Sequence, residues 1–234
     1  MEKKELISGG DTIDTYASDQ QEMLILSFRD VISSDRGRKK DTMPGKGNIC
    51  CRMSAHIMRI LEEKGIATDF VEELGATELA VRKTDPIPLT VAVRNFSAGS
   101  FSTRFGTAEG KKLKTAVVEF VWQNTALSCP FLNGYDAIAL DLISEDEIEK
   151  VVRLSLKINT ILVDYLKGIG VDLIDLKLRF GKRNGEPVLS GEISPDTCRL
   201  WDTTTHERLD KDRFRRDLGN VMDAYEEVYR RLGI

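Results

Sequence analysis

The chain has 234 residues, 41% of them hydrophobic and 31% charged, and carries a net charge of −4 at pH 7. That composition suits one large domain or two closely joined lobes, and basic residues dispersed among acids exclude the electrostatic footprint of a nucleic-acid binder. No apolar run nears the roughly 20 residues a membrane span requires, and the start Met1-Glu2-Lys3-Lys4-Glu5 is too polar for a signal peptide.

The expectation is a cytoplasmic protein without membrane or nucleic-acid partners. Four cysteines and two histidines lack metal-ligand spacing, so reduced thiols and no structural zinc are expected.

In chain order, Leu24 to Phe28 is the first short apolar run bounded by polar residues and predicts a strand. Gly45-Lys46-Gly47 then precedes a helix in which Ile49, Met53, Ile57, Ile60 and Leu61 recur at helical spacing before Gly65. Alone, this glycine-lysine-glycine element suits either a phosphate cradle or a turn with an exposed lysine.

Strands follow at Leu79 to Arg82 and Leu89 to Val93. The second runs into Arg94, Asn95, Ser97, Gly99 and Ser100, where small residues let backbone amides approach an anion that arginine can fork onto.

Ser144 and Glu147 form a capping box ahead of Ile148, Val151, Val152, Ile158, Leu162 and Leu166, and Gly168 with Gly170 ends that helix. From Asp172 to Phe180 apolar and charged residues alternate, Asn184-Gly185 marks a hairpin, and Val188 to Ile193 forms the return strand. The charged face that this alternation presents, with Asp175, Lys177 and Arg179, suits the solvated side of a sheet or one wall of a site. Gly191 to Asp202 follows as a polar loop in which Glu192, Asp196 and Asp202 offer acceptors and Arg199 an anion fork. Phe214, Leu218, Val221, Tyr225, Val228 and Leu232 predict one closing helix behind Asp212. Strands first, then helix, hairpin and helix, argue for an α+β fold rather than a doubly wound sheet.

"DLIDLKLRFG" followed by "GEISPDTCRLWD" resembles the C-terminal signature of the SAICAR synthetases (phosphoribosylaminoimidazole-succinocarboxamide synthetases) of purine biosynthesis. Lys39 to Gly47, Pro88 to Ser100, Pro130 to Asn133 and the closing "LDKDRFRRDLGNVMDAYEEVYRRLG" extend the likeness nearly end to end. The resemblance implies a strand-rich N-terminal lobe and an α/β C-terminal lobe around a cleft. Asp85-Pro86-Ile87-Pro88 suggests the division into residues 1–86 and 87–234.

It also implies a homo-oligomer whose substrate is a small phosphoribosyl nucleotide. Arg94, Ser100 and Arg199 are expected to hold its phosphate, Asp175 its ribose, and Lys46 and Asp196 to line the cleft, with Lys177 or Glu192 serving as the catalytic acid/base. In the family, ATP phosphorylates the carboxylate of carboxyaminoimidazole ribonucleotide, aspartate's amine displaces the phosphate, and Mg²⁺ assists.

Several positions depart from that pattern. The family's lysine-bearing "GKAK" is Ser8-Gly9-Gly10-Asp11-Thr12-Ile13, and "DFKLEFG" has Arg179 for its glutamate. "DEISPD" has Gly191 for its first acid, Gln123-Asn124-Thr125 replaces "K-N/D-D", Cys129-Pro130 replaces "DP", Arg36 replaces Asp or Asn, and Cys50-Cys51 replaces Asn-Asn. An acid beside a triphosphate and a guanidinium at a metal position oppose ATP and magnesium.

The leading expectation is accordingly a diverged enzyme of specialised, pentostatin- or coformycin-like nucleoside biosynthesis, with no metal ligands and no cofactor. The alternatives are a genuine SAICAR synthetase using ATP and Mg²⁺, and a non-catalytic ribonucleotide-binding paralogue.

Overall fold

A computed structural model describes the backbone of residues 1–234 and every side chain except that of Arg36, so the expectation at Arg36 lies outside the described residues. The first sheet is built from β1 (Lys3–Gly9), β2 (Ile13–Ser18), β3 (Met23–Phe28), β6 (Phe70–Gly75) and β7 (Glu78–Arg82), in the order β1-β2-β3-β7-β6. All its pairings are antiparallel. Between β3 and β6 lie the small ribbon β4 (Val31–Ser34) with β5 (Lys39–Thr42), and the helix α1 (Lys46–Glu63). The helical spacing read from Ile49 onward is that of α1, whose stripe of Ile49, Met53, Ile57 and Leu61 enters the core.

The second sheet is also antiparallel. Its strands are β8 (Asp85–Phe96), β9 (Lys112–Trp122), β10 (Phe131–Leu132), β11 (Val171–Arg183), β12 (Glu186–Ser190) and β13 (Cys198–Asp202), ordered β10-β9-β8-β11-β12 with β13 also on β11. Short helices α2 (Ser100–Phe105) and α3 (Gly134–Ala139) lie in its connections, and α4 (Glu145–Gly168) covers one face. The Ser144–Glu147 capping box forms as expected. Leu176, Leu178 and Phe180 of β11 are buried in the same core as Ile148, Val151, Ile158 and Leu162 of α4, which leaves Asp175, Lys177 and Arg179 on the other face. Asn184 and Gly185 both take positive φ, 53° and 78°, as a two-residue hairpin of this kind requires.

Two expectations are corrected. Gly191 to Asp202 is not all loop, because Cys198–Asp202 forms β13, paired with Val171 to Leu176 of β11. The closing helix is two helices, α5 (Asp212–Arg215) and α6 (Val221–Leu232), broken where Asp217, Gly219 and Asn220 take positive φ. Leu218, expected on the apolar stripe, therefore faces solvent at 46% exposure. Among the described residues, no helix is long and apolar enough to cross a membrane.

Candidate active site

β12 and β13 share one edge of β11: β12 pairs with residues 179–183 and β13 with residues 171–176. The chain leaves the sheet between them, and the amide of Lys177 donates to the Thr197 carbonyl at 2.9 Å across the gap. This excursion, Gly191 to Thr197, is a tight polar turn. The Ser194 hydroxyl bonds the Glu192 carboxylate at 3.2 Å and accepts from the Asp196 amide at 3.1 Å, while Thr197 Oγ1 accepts from the Ser194 amide at 3.1 Å. The proline-centred sequence thus fixes two carboxylates in a turn that is tied to the Lys177 backbone.

One half of the site is a buried pair network around Asp196. Its Oδ2 accepts from Lys46 Nζ at 2.5 Å, its Oδ1 accepts from the Tyr225 hydroxyl at 2.8 Å, and Lys211 Nζ lies 3.7 Å from Oδ1. Burial alone would raise the Asp196 pKa, but Lys211 and Lys46 outweigh it and keep the carboxyl ionised. Glu192 has no such direct partner. Burial, then the charge of Asp196, pushes it up to about 7.

The other half is a chain of guanidinium–carboxylate pairs. Arg199 Nη1 contacts both Asp175 oxygens, at 3.0 and 2.7 Å, and its Nε donates to Asp212 Oδ2 at 2.8 Å. Arg94 donates to Asp175 at 3.0 Å and to Ser100 Oγ at 3.2 Å, and also pairs with Glu119. Arg215 donates to Asp212 Oδ1 at 2.5 Å; burial would raise the Asp212 pKa, but Arg199 and Arg215 hold it at about 2. Lys177 looks out of this network into solvent. Crowding by the surrounding protein, then the like charges of Arg215 and Arg199, lowers it to about 8.

All eight residues expected in the site fall in or beside these two networks, but not all are open to a ligand. Arg94 is 3% exposed with its donors directed at Glu119, Asp175 and Ser100, so it braces the site from behind. Asp175 is likewise filled by Arg94 and Arg199, and Lys46, 1% exposed, by Asp196. The glycine-lysine-glycine turn is not an empty cradle, because the amides of Gly45 and Gly47 donate to the Asp30 carboxylate at 3.1 and 2.8 Å. Ser100, Lys177 and, in part, Arg199 and Glu192 reach solvent.

Sequence reasoning missed Lys211, Asp212, Arg215, Glu119 and Tyr225 as members of the site. The first three sit in the charge run Asp210 to Arg216, which read only as the polar start of a helix. Nothing in the local pattern marks Glu119 or Tyr225.

The departures also look different in three dimensions. Asp11 does not stand as a bare repulsive charge: Lys40 Nζ lies 2.5 Å from Oδ1, and Ser33 Oγ donates to Oδ2 at 2.9 Å. Those hydrogen bonds, with Lys40 the larger influence, lower its pKa. Magnesium fares worse. Cys50, Glu192 and Asp196 place ligand atoms within 4.8 Å of one another, yet both Asp196 oxygens are held by protein donors and burial pushes the Cys50 thiol well up. A cation that demands hard, available oxygens does not fit this set.

The chain matches the family model for SAICAR synthetase over residues 6–232. It is 46% identical, over the full length of both chains, to the phosphoribosylaminoimidazole-succinocarboxamide synthase of Lachnoclostridium phytofermentans. The crystal structure of that synthase from Ehrlichia chaffeensis superposes with a TM-score of 0.96 at 38% identity, covering 98% of each chain. A SAICAR synthetase in complex with ADP does so with a TM-score of 0.93 at 43% identity, covering 99% of this chain and 97% of that one. These relatives carry the synthase name rather than that of a specialised nucleoside enzyme, so they favour the ordinary ligase reading over the leading sequence expectation.

Proposed function

Because the chain belongs to the SAICAR synthetase family and is a SAICAR synthetase-like ligase, we propose that it joins aspartate to carboxyaminoimidazole ribonucleotide at the expense of ATP, in purine biosynthesis. The full-length likeness to a SAICAR synthetase holding ADP carries this reading. Asp11, paired with Lys40 and Ser33, leaves the first loop electrically compensated and removes the main charge objection to a nucleotide there. We read residues 1–86 and 87–234 as the two lobes that meet at the cleft.

In this reading the ribonucleotide carboxylate attacks the terminal phosphorus of ATP, and ADP leaves. The aspartate amine then attacks the acyl carbon, phosphate leaves, and the nitrogen loses a proton. Glu192, with its pKa of about 7, accepts that proton, while Lys177 stays largely cationic below its pKa of about 8 and steadies the departing phosphate. Arg199, braced by Asp175 and Asp212, and the Ser100 hydroxyl take the ribonucleotide phosphate.

The test is direct: incubation with carboxyaminoimidazole ribonucleotide, aspartate, ATP and magnesium chloride should release ADP and the succinocarboxamide in equal amounts. Glu192→Gln should lower kcat about 100-fold or more with little change in KM. Failure to form the product while the ribonucleotide still binds would leave the non-catalytic paralogue as the better reading.

A further inference from the structure

Partners across an antiparallel ladder point to the same face, so the register of the second sheet defines the rows of its cleft-side floor. Lys177, Ala92 and Glu119 form one row, and Ser190, Arg179, Thr90 and Val121 the next. Lys177 and Arg179 are two residues apart on one strand, about 7 Å along its face. Both are exposed, and neither side chain makes an ion pair or hydrogen bond among the described residues. Elsewhere in the cleft, Lys46, Lys211, Arg94, Arg199 and Arg215 each have a carboxylate within 4 Å.

Gly191 directly follows Ser190, the β12 residue that pairs with Arg179, and takes a φ of 81°; a Cβ added there would touch the Arg179 side chain at 3.8 and 3.9 Å, an ordinary contact. Any other side chain at 191 would be strained by this positive-φ backbone. The hydroxyl-bearing Thr90 and Ser190, both partly exposed, flank the guanidinium in the same row.

Charge balance points the same way. Lys177 feels Arg215, Arg199 and Lys211 more than it is relieved by Asp175, which marks an excess of positive potential over the open floor. The neighbouring carboxylates are turned inward: Asp196 onto Lys46 and Tyr225, Asp175 onto Arg94 and Arg199. The two charged positions most open on this face, Lys177 and Arg179, are both cationic, which suits a polyanion and opposes a divalent cation.

We infer that Arg179 and Lys177 form a two-cation seat for the phosphates of a nucleoside di- or triphosphate, and that the nucleotide binds there without a divalent metal. The inference rests on the reading that ATP is a substrate. It adds that guanidinium and ammonium neutralise phosphate charge where a metal ion is the usual agent. Arginine suits the task because its charge is permanent and its fork matches two phosphate oxygens.

The test is equilibrium binding of ADP to the whole protein in EDTA and in magnesium chloride, by calorimetry. The expected result is the same affinity in both. Arg179→Gln should weaken ADP at least about tenfold in EDTA, the loss of one charge-assisted hydrogen bond. Arg179→Glu should weaken it further, with magnesium restoring part of the loss. Aminoimidazole carboxamide ribonucleotide, a monophosphate, should bind the wild type and Arg179→Gln alike.

ADP binding that disappears in EDTA, an unchanged affinity in Arg179→Gln, or a loss confined to the monophosphate overturns the inference. Thermal melting confirms that each variant is folded, and Arg179→Lys, which keeps the charge, should recover part of the affinity. The proposed ligase activity fails separately, if ADP binds without metal yet no succinocarboxamide forms. Absence of ADP binding under both conditions overturns the two together.

Discussion

Asp69 shows how a single side chain ties the fold to pH. Its amide donates to the Leu189 carbonyl and its carbonyl accepts from the Arg82 amide, so its backbone bridges the two sheets while its side chain is enclosed. One carboxylate oxygen has no partner, and burial drives the pKa up to about 7 despite a backbone hydrogen bond from Gly191. A carboxyl whose folded pKa lies above its unfolded value near 3.8 binds more protons when folded. Its contribution to stability is therefore intact below about 3.8 and lost as pH rises through 7. Asp69→Asn carries no such charge, so its Tm should gain on the wild type by on the order of 5 °C between pH 5 and pH 8. Parallel Tm curves across that range, followed by circular dichroism, would remove Asp69 as a source of pH sensitivity. The same physics, burial without a direct counter-charge, sets Glu192 near neutrality and suits it to proton transfer.

Strand β11 is the element on which the site depends. It pairs with β8 along one edge and with β12 and β13 along the other, and the gap between those two admits the Gly191 to Thr197 turn. Near its far end, Gly181 stands opposite Pro86, and a Cβ there would come within 2.2 Å of Thr84 Oγ1 and 2.6 Å of its Cβ. Thr84 lies in the link from β7 to β8, so glycine at 181 lets that link press against the strand. Gly181→Ala should cost about 1–3 kcal/mol in urea unfolding, and Thr84→Gly in the same chain should recover part of it. An undiminished stability in Gly181→Ala would mean that the link shifts freely. Elements with strong local signals form where the pattern places them: the Ser144–Glu147 box starts α4, and Asn184-Gly185 turns β11 into β12. The closing helix fails that rule because its apolar spacing continues through Gly219-Asn220 while the backbone does not.

At the scale of the molecule, the first and second halves are joined by polar contacts as well as by the core. Lys39 Nζ donates to the Phe214 carbonyl at 2.6 Å and pairs with Asp217 at 2.7 Å, and Thr68 bridges to Leu189. The deepest tie is Lys46 to Asp196, both side chains 1% exposed, which fixes the start of α1 to the turn between β12 and β13. Breaking a buried pair from one side leaves a charge that nothing offsets. Lys46→Met should therefore lose about 3 kcal/mol in denaturant unfolding, tempered by the Lys211 and Tyr225 contacts that Asp196 retains. A variant as stable as the wild type would show that Lys211 alone balances Asp196. The overall charge of −4 conceals this arrangement, since it does not show that Lys177 sits beside the like charges of Arg215 and Arg199.

The sequence by itself determined the α+β class, the principal helices, the hairpin and the family, because periodicity, capping and turn chemistry are local and the motifs retain their order and spacing. It also brought forward Arg94, Ser100, Asp175, Lys177, Glu192, Asp196 and Arg199, which the fold brings near one another. Only the tertiary structure decided which of them face a ligand. Arg94 and Lys46 look in sequence like anion grips, yet each is neutralised from within by an acid 81 or 150 residues away, and Asp11 looks repulsive until Lys40 pairs with it. Lys177 and Arg179 look like ordinary solvated strand residues, yet among the described residues of the site they are the cations without an acidic partner. The physical reason is that charge acts through space: a residue's type states what it can bind, and the neighbours brought by the fold determine whether that capacity is already taken.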